Sequence, residues 1–420
     1  MVHKERILTA IVLGLLLGTF ARTFYDIYSD FRGAKGYIAA SGRPVGGDFV
    51  CFYLAGQVAL QNPPALYDWE KAIERQRILL NAPNDKEWIL PYAYPPLFAI
   101  LFIPLGQIDF FTATLVWLAL SFLMGFLSIF FILRRRRFNR IERFFICLSL
   151  LAFTPFTLDC LAGGQTSAVG MLIIGAVYYL AKTNREFAAG LVLGLGYYKP
   201  PLFLLLAFSY LLRRQWKLLG GALFSGAFLL LLSVIYLGAQ GFNNYLEKLS
   251  RYVYGRELLP GLSLPPGQGV GILSFLMMNL PNNSGIAWFL YFLFLSTAIF
   301  FYWKSVSGLD ARGLSPRVYD LSFSLATSLS LLFSIQMLNY DVSILFLTVL
   351  LVALPSFRAQ FNPIADWGVL LGFLFFLIPQ MGKVEIGEIQ IKPITVLMIL
   401  WVLYLFHSIR HESIIDHSRL

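Results

Sequence analysis

Apolar and polar positions alternate along this chain in long blocks. Stretches of about 14 to 25 mostly apolar residues recur from end to end, and about 20 such residues cross a bilayer core. The segments between them are short, polar and often basic. The pattern predicts an all-α polytopic membrane protein with about twelve spanning helices. The predicted spans are 6–24, 109–133, 144–160, 166–182, 186–198, 200–212, 216–238, 285–303, 317–337, 342–355, 365–381 and 393–409.

The first apolar block follows Lys4 and Arg6 and resembles the core of a signal peptide. It lacks a convincing small-residue cleavage site, and a segment with tyrosine and aspartate follows it directly. We therefore expect an uncleaved first membrane helix at 6–24.

Residues 25–108 contain no apolar block long enough to span a membrane, so we predict one long outer loop. Within it, 49–60 and 64–82 have the composition of helices that lie at the membrane surface. The apolar stretch at 94–107 is short and carries three prolines, which favours a half-inserted or interfacial helix there.

Basic residues set the predicted orientation, because cytoplasmic loops are rich in lysine and arginine. Lys4 and Arg6 place the N-terminus inside, and the four consecutive arginines at 134–137 place the end of the second span inside. The remaining early spans then occupy 109–238, a second outer loop occupies 239–283, and the last spans occupy 284–410. We expect one integral domain over 1–420 in the cytoplasmic (inner) membrane, with both termini cytoplasmic.

Composition agrees with this reading. Hydrophobic residues make up 58% of the 420 residues, charged residues make up 13%, and the mean hydropathy is +0.69. A soluble domain averages roughly 25% charged residues, so the surplus apolar surface must face membrane lipids. The net charge of +10 comes from short loops between apolar blocks, and nucleic acid is not an expected partner. The three cysteines show neither metal-type spacing nor a disulfide framework.

Several polar residues flanked by apolar sequence fall, in the predicted topology, at the outer end of the helix bundle. They are Asp48, Tyr94, Gln165, Lys199, Gln268, Asn339, Tyr340 and Asp341. A charge so close to hydrocarbon is costly, so such a cluster indicates a functional site. Because the residues come from separate loops, they suit a site at the boundary between water and lipid.

Asp48 follows Gly46-Gly47 and precedes an apolar helix. The glycines allow a tight turn, and a carboxylate there can act as a general base on a hydroxyl group. An aspartate at this position can equally cap the N-terminus of the helix. Both roles stay open on spacing alone.

Lys199 heads a Lys-Pro-Pro junction between two short apolar stretches. Its ammonium suits a lipid-borne phosphate, although a lysine at a helix end can also simply extend toward water. Gln165 follows a Gly-Gly turn and could hold a hydroxyl group, and Tyr94 could be only an interfacial aromatic before a helix breaker. The sequence contains no metal-ligand or nucleotide-binding motif, so we expect no metal and no cofactor.

Short motifs along the chain match one known family in order. They are Gly46-Gly47-Asp48-Phe49, Leu66-Tyr67-Asp68, Tyr94-Pro95-Pro96-Leu97-Phe98 with Pro104-Leu105, Gly164-Gln165, Gly190 to Gly194 leading to Lys199-Pro200, Gly267-Gln268 and Asn339-Tyr340. With them the chain resembles the polyprenyl-phosphate-mannose-dependent mannosyltransferases, membrane glycosyltransferases of the GT-C type. The mycobacterial phosphatidylinositol-mannoside mannosyltransferases belong to that group.

The resemblance implies a GT-C fold and an inverting, metal-independent transfer from a polyprenyl-phosphate sugar to a lipid or glycan acceptor on the outer face. It implies that Asp48 is the general base and that Lys199 binds the donor phosphate. The other substrate-binding residues that it implies are Tyr94, Gln165, Gln268, Asn339 and Tyr340. Family members often carry histidine where Asn339 stands, and an asparagine can supply only neutral hydrogen bonds.

Two other functional classes compete with this reading. A transporter or flippase of lipid-linked sugars would place charges near the bilayer midplane and would show paired repeats, and the predicted helix centres are almost free of charge. A polysaccharide polymerase or ligase would carry Arg and His in a large late outer loop, and the late outer segment at 382–392 is small.

Overall fold

A computed structural model of the chain describes residues 2–81, 91–134, 136, 138–306, 315–353, 363–377 and 382–418. The fold is mostly helical. The first helices are α1 (Val2–Arg32), α2 (Phe49–Gln61), α3 (Trp69–Leu80), α4 (Pro96–Ile100), α5 (Ile103–Gly106), α6 (Phe110–Leu133), α7 (Arg140–Ala152), α8 (Ser167–Lys182) and α9 (Glu186–Gly194). The later helices are α10 (Leu204–Leu212), α11 (Trp216–Arg251), α12 (Ile272–Asn279), α13 (Ser284–Val306), α14 (Pro316–Leu332), α15 (Leu345–Ala353), α16 (Pro363–Leu377) and α17 (Pro393–Ser418).

Shorter elements connect these helices. The 3₁₀-helices are Pro63–Tyr67, Leu195–Tyr198, Pro200–Leu202, Pro266–Gln268 and Asn339–Ile344, and Pro155–Ala162 is a π-helix. Two antiparallel hairpins pair β1 (Glu257–Leu259) with β2 (Leu262–Ser263) and β3 (Val384–Ile386) with β4 (Ile389–Ile391). The second hairpin lies in the late segment that the sequence predicts to be a small outer loop.

Four helices in the described part of the chain are long and apolar enough to cross a membrane. They are α6, α11, α13 and the Pro393–Glu412 part of α17. The α7 helix and the π-helix, bent by 60°, make a fifth if they form one broken span. The break precedes Pro155, whose ring removes a backbone donor and disfavours the helical conformation of the residue before it. Of the other predicted spans, 6–24 lies within the 31-residue helix α1 and the rest correspond to shorter helices, so a total of about twelve crossings stays a prediction.

Helix α11 extends beyond the predicted span 216–238. Gly238 has φ 68° and ψ 167°, which kinks the chain at the predicted end of the span, and the helix then continues to Arg251. Tyr245, beyond the kink, is buried and packs its ring 5.0 Å from that of Tyr67. This tertiary packing stabilises the helical conformation of the part of α11 beyond Gly238, which composition alone assigns to the second outer loop.

Helix α2 lies inside the protein, although the sequence predicts an interfacial helix there. Most of its residues are buried, and the ring of Phe49 stacks on Phe110 and Trp117 with interplanar angles of 16° and 12°. Phe52 likewise stacks on Phe102, with its ring centroid 5.0 Å away. Because these rings anchor α2 against α5 and α6, the residue at its N-terminus, Asp48, has a fixed position.

Helix α8 links two polar clusters at opposite ends of the bundle. At its start, Ser167 donates a hydrogen bond to buried Asp341. At its end, Lys182 pairs with buried Asp320, which also pairs with Arg136. An α-helix rises 1.5 Å per residue, so α8 separates the clusters by roughly 24 Å. We call the second cluster, around Asp320, the basic end.

Candidate active site

Two glycine turns meet backbone to backbone at the end of the bundle opposite the basic end. The amide of Asp48 donates to the carbonyl oxygen of Gly163 over 3.0 Å. A Cβ atom on Gly164 would lie 1.9 Å from the carbonyl oxygen of Gly46, and one on Gly47 would lie 2.2 Å from that of Gly163. Gly46, Gly47 and Gly164 also have positive φ angles, which favour glycine. Only glycine therefore fits this contact, and it brings Asp48 beside Gln165.

Asp48 stands at the N-cap position of α2, but its side chain makes no capping hydrogen bond. Instead its Oδ2 accepts a hydrogen bond from Nε2 of Gln165 over 2.5 Å. The side chain of Asp48 therefore does not cap α2, although its position in the sequence allows that role.

The carboxyl group of Asp48 is protonated more easily than an exposed aspartate. Burial raises its pKa above the ordinary 3.8, while the hydrogen bond from Gln165 and the positive charge of Arg43 act in the opposite direction. Loss of hydration disfavours the charged form, because the surroundings cannot solvate it as water does. A carboxylate with a raised pKa accepts a proton more readily, as a general base must.

Three consecutive side chains after the glycine turn reach three different parts of the site. Gln165 binds Asp48, the hydroxyl of Thr166 donates to the hydroxyl of Tyr94 over 3.2 Å, and Ser167 donates to Oδ1 of Asp341 over 2.9 Å. Thr166 and Ser167 are fully buried. The segment 165–167 thus joins the loop before α2, the loop that carries Tyr94 and the 3₁₀-helix Asn339–Ile344.

Lys199 forms a buried ion pair with Asp341. Its Nζ lies 2.6 Å from Oδ2 of Asp341, and the side chains are only 8% and 1% exposed. The carboxylate also accepts hydrogen bonds from Ser167 and from the amide of Leu338. The ammonium lies 4.7 Å from the ring centre of Tyr340. An ammonium has three donors, so the bond to Asp341 leaves capacity for a ligand.

Two tyrosine side chains are influenced by both carboxylates. Burial raises the pKa of both Tyr94 and Tyr340 well above the usual value of 10, and the charges of Asp341 and Asp48 add to that rise. Both rings therefore lie within electrostatic range of both acids. The ring of Tyr94 also stacks on Tyr198. The structure thus brings together Asp48, Gln165, Tyr94, Lys199 and Tyr340.

Gln268 and Asn339 occupy an exposed corner instead. Gly269 forms a β-bridge with Leu338, which places the two residues on adjoining loops. Both side chains are exposed, and neither makes a side-chain hydrogen bond to another described residue. Asn339 directly precedes Tyr340 in the chain, and no hydrogen bond within the described part of the chain joins Gln268 or Asn339 to Asp48.

Sequence reasoning missed two charged residues near Asp48. Arg43 is exposed and lies within electrostatic range of both Asp48 and Asp159. Asp159 belongs to the π-helix, a rare element that is frequent at functional sites. The sequence could have indicated Asp159, because it is an acidic residue inside an otherwise apolar predicted span. Arg43 carried no such signal, because it sits in a polar loop.

Residues 92–334 match the family model described as Glycosyltransferase family 87, and this range is more than half of the chain. The chain belongs to glycosyltransferase family 87. No curated protein and no solved structure matches it. Within the described residues, no group of three or more His, Cys, Asp or Glu side chains could hold a metal ion.

The family 87 match covers only part of the site. Tyr94, Gln165, Lys199 and Gln268 lie inside the matched range, whereas Asp48 and the segment 339–341 lie outside it. The contacts of Asp48 with Gln165 and of Asp341 with Lys199 attach these flanking segments to the matched core. The site of this family 87 member therefore depends on residues from both sides of the matched region.

Replacing Gly164 by alanine should displace the loop before α2 from the candidate site. The new Cβ would overlap the Gly46 carbonyl, and the left-handed φ alone costs on the order of 1–3 kcal/mol in a non-glycine residue. We expect a lower thermal unfolding temperature in detergent and loss of activity. Gly220→Ala is the control, since open space surrounds Gly220 on α11. Equal stability of the two variants would contradict the proposed role of the glycine contact.

Proposed function

We propose that this family 87 protein transfers a sugar, mannose by the resemblance above, from a polyprenyl-phosphate donor to a hydroxyl group of a lipid or glycan acceptor. The proposed site faces the outer side of the cytoplasmic membrane in a GT-C fold with about twelve spans. The observation that carries the proposal is the placement of Asp48. Its carboxylate is held by Gln165 instead of capping its helix, beside a buried ion pair in a glycosyltransferase family member.

The proposed reaction is a single inverting displacement. The acceptor oxygen forms a bond to the anomeric carbon as the bond from that carbon to the phosphate oxygen breaks. The hydroxyl proton passes to the carboxylate of Asp48, and polyprenyl phosphate leaves with the bonding electron pair. Such a step needs a base at the acceptor and positive charge at the leaving phosphate.

Asp48 has the properties that the base requires. Because burial raises its pKa, the carboxylate gains more from taking a proton than an exposed aspartate would. The hydrogen bond from Gln165 occupies Oδ2 and orients the group. Oδ1 is then the oxygen that remains for the acceptor hydroxyl.

Two cations can serve the donor phosphate in this proposal. Lys199 has hydrogen-bonding capacity left after its bond to Asp341, but that carboxylate neutralises its charge. Arg43 is exposed, has no ion pair with another described residue and lies close to Asp48. A guanidinium can bind phosphate through two parallel hydrogen bonds. We therefore add Arg43 to Lys199 as a donor-phosphate residue.

Transfer by the purified protein is the direct test of this function. A panel of radiolabelled polyprenyl-phosphate sugars, followed by thin-layer separation of the products, would identify the donor. Asp48→Asn keeps the size of the side chain and its contact with Gln165 but removes the base. We expect a loss of turnover on the order of a hundred-fold or more with unchanged thermal stability. Turnover near that of the wild type would exclude Asp48 as the base.

The pH dependence should report the environment of Asp48. Its base form is lost as pH falls through its pKa, so the transfer rate should decline below that pKa, which lies above 3.8. Gln165→Leu removes a hydrogen bond that lowers this pKa, so the decline should begin at a higher pH. Gln57→Leu is the control, because Gln57 lies on α2, the helix that follows Asp48, and its amide donates to the carbonyl oxygen of Gly106 on α5. An unchanged profile in Gln165→Leu would mean that another group titrates.

Arg43→Ala should weaken donor binding without affecting folding, because the side chain is exposed. Loss of a charge-assisted contact to phosphate predicts an increase of about tenfold or more in the KM for the donor. Lys35→Ala removes an exposed positive charge from the same loop and should leave the KM unchanged. If Arg43→Ala binds the donor normally, Lys199 alone must supply the positive charge.

A further inference from the structure

Arg213 differs from the other cations at the basic end. Arg136 and Lys182 pair with Asp320, and Arg317 donates to the carbonyl oxygens of Leu351 and Val352. Arg213 follows α10, and its guanidinium lies 5.7 Å from the ring centre of Tyr319. It forms no salt bridge with another described residue. Its positive charge is therefore not neutralised by an acid of the described chain.

Unsatisfied polar atoms surround Arg213. Its Nη2 is buried and has no hydrogen-bond partner among the described residues, and the same holds for the hydroxyls of Tyr210 and Tyr319. The Tyr302 hydroxyl lies close to Arg213 but is also without a hydrogen bond of good geometry. A buried polar group without a hydrogen-bond partner destabilises the folded protein. Several of them in one place indicate a missing acceptor of hydrogen bonds.

An apolar groove begins at this cluster. Helices α10, α13 and α14 border it, and it is open along one side. The residues that line it are Leu205, Phe208, Ser209, Leu212, Ala298, Ile299, Tyr302, Ala326 and Leu329. Ser209 and Tyr302 are the polar members of this set, and the Ser209 hydroxyl already donates to the carbonyl of Leu206. The groove is therefore almost entirely hydrocarbon and has its polar end at Arg213.

We propose that this groove binds an acyl chain of an anionic phospholipid and that Arg213 binds its phosphate. A guanidinium presents donors in a geometry that matches phosphate oxygens, and nearby tyrosine hydroxyls can donate as well. Tyr302 lies in the last turns of α13, a helix long and apolar enough to span the membrane. The end of such a span lies at the depth of lipid headgroups.

The lipid site is separate from the proposed active site. The 3₁₀-helix Pro200–Leu202 and helix α10 lie between Lys199 and Arg213. A lipid held between α10, α13 and α14 would nevertheless fix the helix that follows Lys199. The site therefore predicts that anionic lipid stabilises the protein, independently of any sugar donor.

The test compares lipids that share acyl chains but differ in headgroup charge. The purified full-length chain in neutral detergent should unfold at a higher temperature with phosphatidylglycerol than with phosphatidylcholine, and native mass spectrometry should show the bound anionic lipid. Arg213→Gln should weaken phosphatidylglycerol binding by about tenfold or more. Lys217→Ala removes an exposed cation nearby and should leave binding unchanged.

A second variant separates the groove from the charge. Ala298→Phe fills the groove without altering Arg213, so it should reduce lipid binding while keeping the fold. Inorganic phosphate alone should produce no comparable stabilisation. Equal stabilisation by the two lipids, full stabilisation by phosphate, or normal phosphatidylglycerol binding in Arg213→Gln or Ala298→Phe would each overturn the proposal.

Discussion

The backbone contact between Gly46-Gly47 and Gly163-Gly164 sets the geometry of the whole site. It joins a loop near the N-terminus to the turn that precedes α8, with no side chain between them. Once the turns meet, Gln165 necessarily faces Asp48, and the next two residues reach Tyr94 and Asp341. Aromatic packing of α2 then prevents the loop from moving away. The polar site is thus a consequence of a contact that only glycine allows.

The carboxylates of Asp48 and Asp341 differ in their hydrogen-bond partners and in the charges around them. Asp341 receives an ammonium and two further hydrogen bonds, so its negative charge is compensated within the protein. Asp48 receives one neutral amide, and its burial is only partly offset by the more distant Arg43. Burial raises the pKa of Asp48, because the loss of hydration disfavours its charged form. This difference supports the proposal that Asp48 takes the proton of the acceptor hydroxyl.

The sequence predicted the long apolar helices and named candidate residues, most of which the structure brings together, but it did not predict the contacts between them. Long blocks such as 109–133 were recognisable, because length and hydropathy alone define them. The burial of α2 and the continuation of α11 past Gly238 were not, because both depend on partners distant in sequence. Lys199 was found by its charge, but its pairing with Asp341 requires the late 3₁₀-helix to return beside α8. Arg43 gave no signal, since an arginine in a polar loop is ordinary.

The asparagine at position 339 bears on how the leaving phosphate is stabilised. Its side chain is exposed and neutral, so it supplies no positive charge where the resembling family often has histidine. The charge of Lys199 is already compensated by Asp341. In the proposed mechanism the leaving phosphate therefore needs a positive charge from a residue other than Lys199 or Asn339. Arg43 is an exposed cation that lies near Asp48. Base and phosphate ligand would then both belong to the loop before α2, on the two sides of Gly46-Gly47. The same glycine contact would position both groups against the donor.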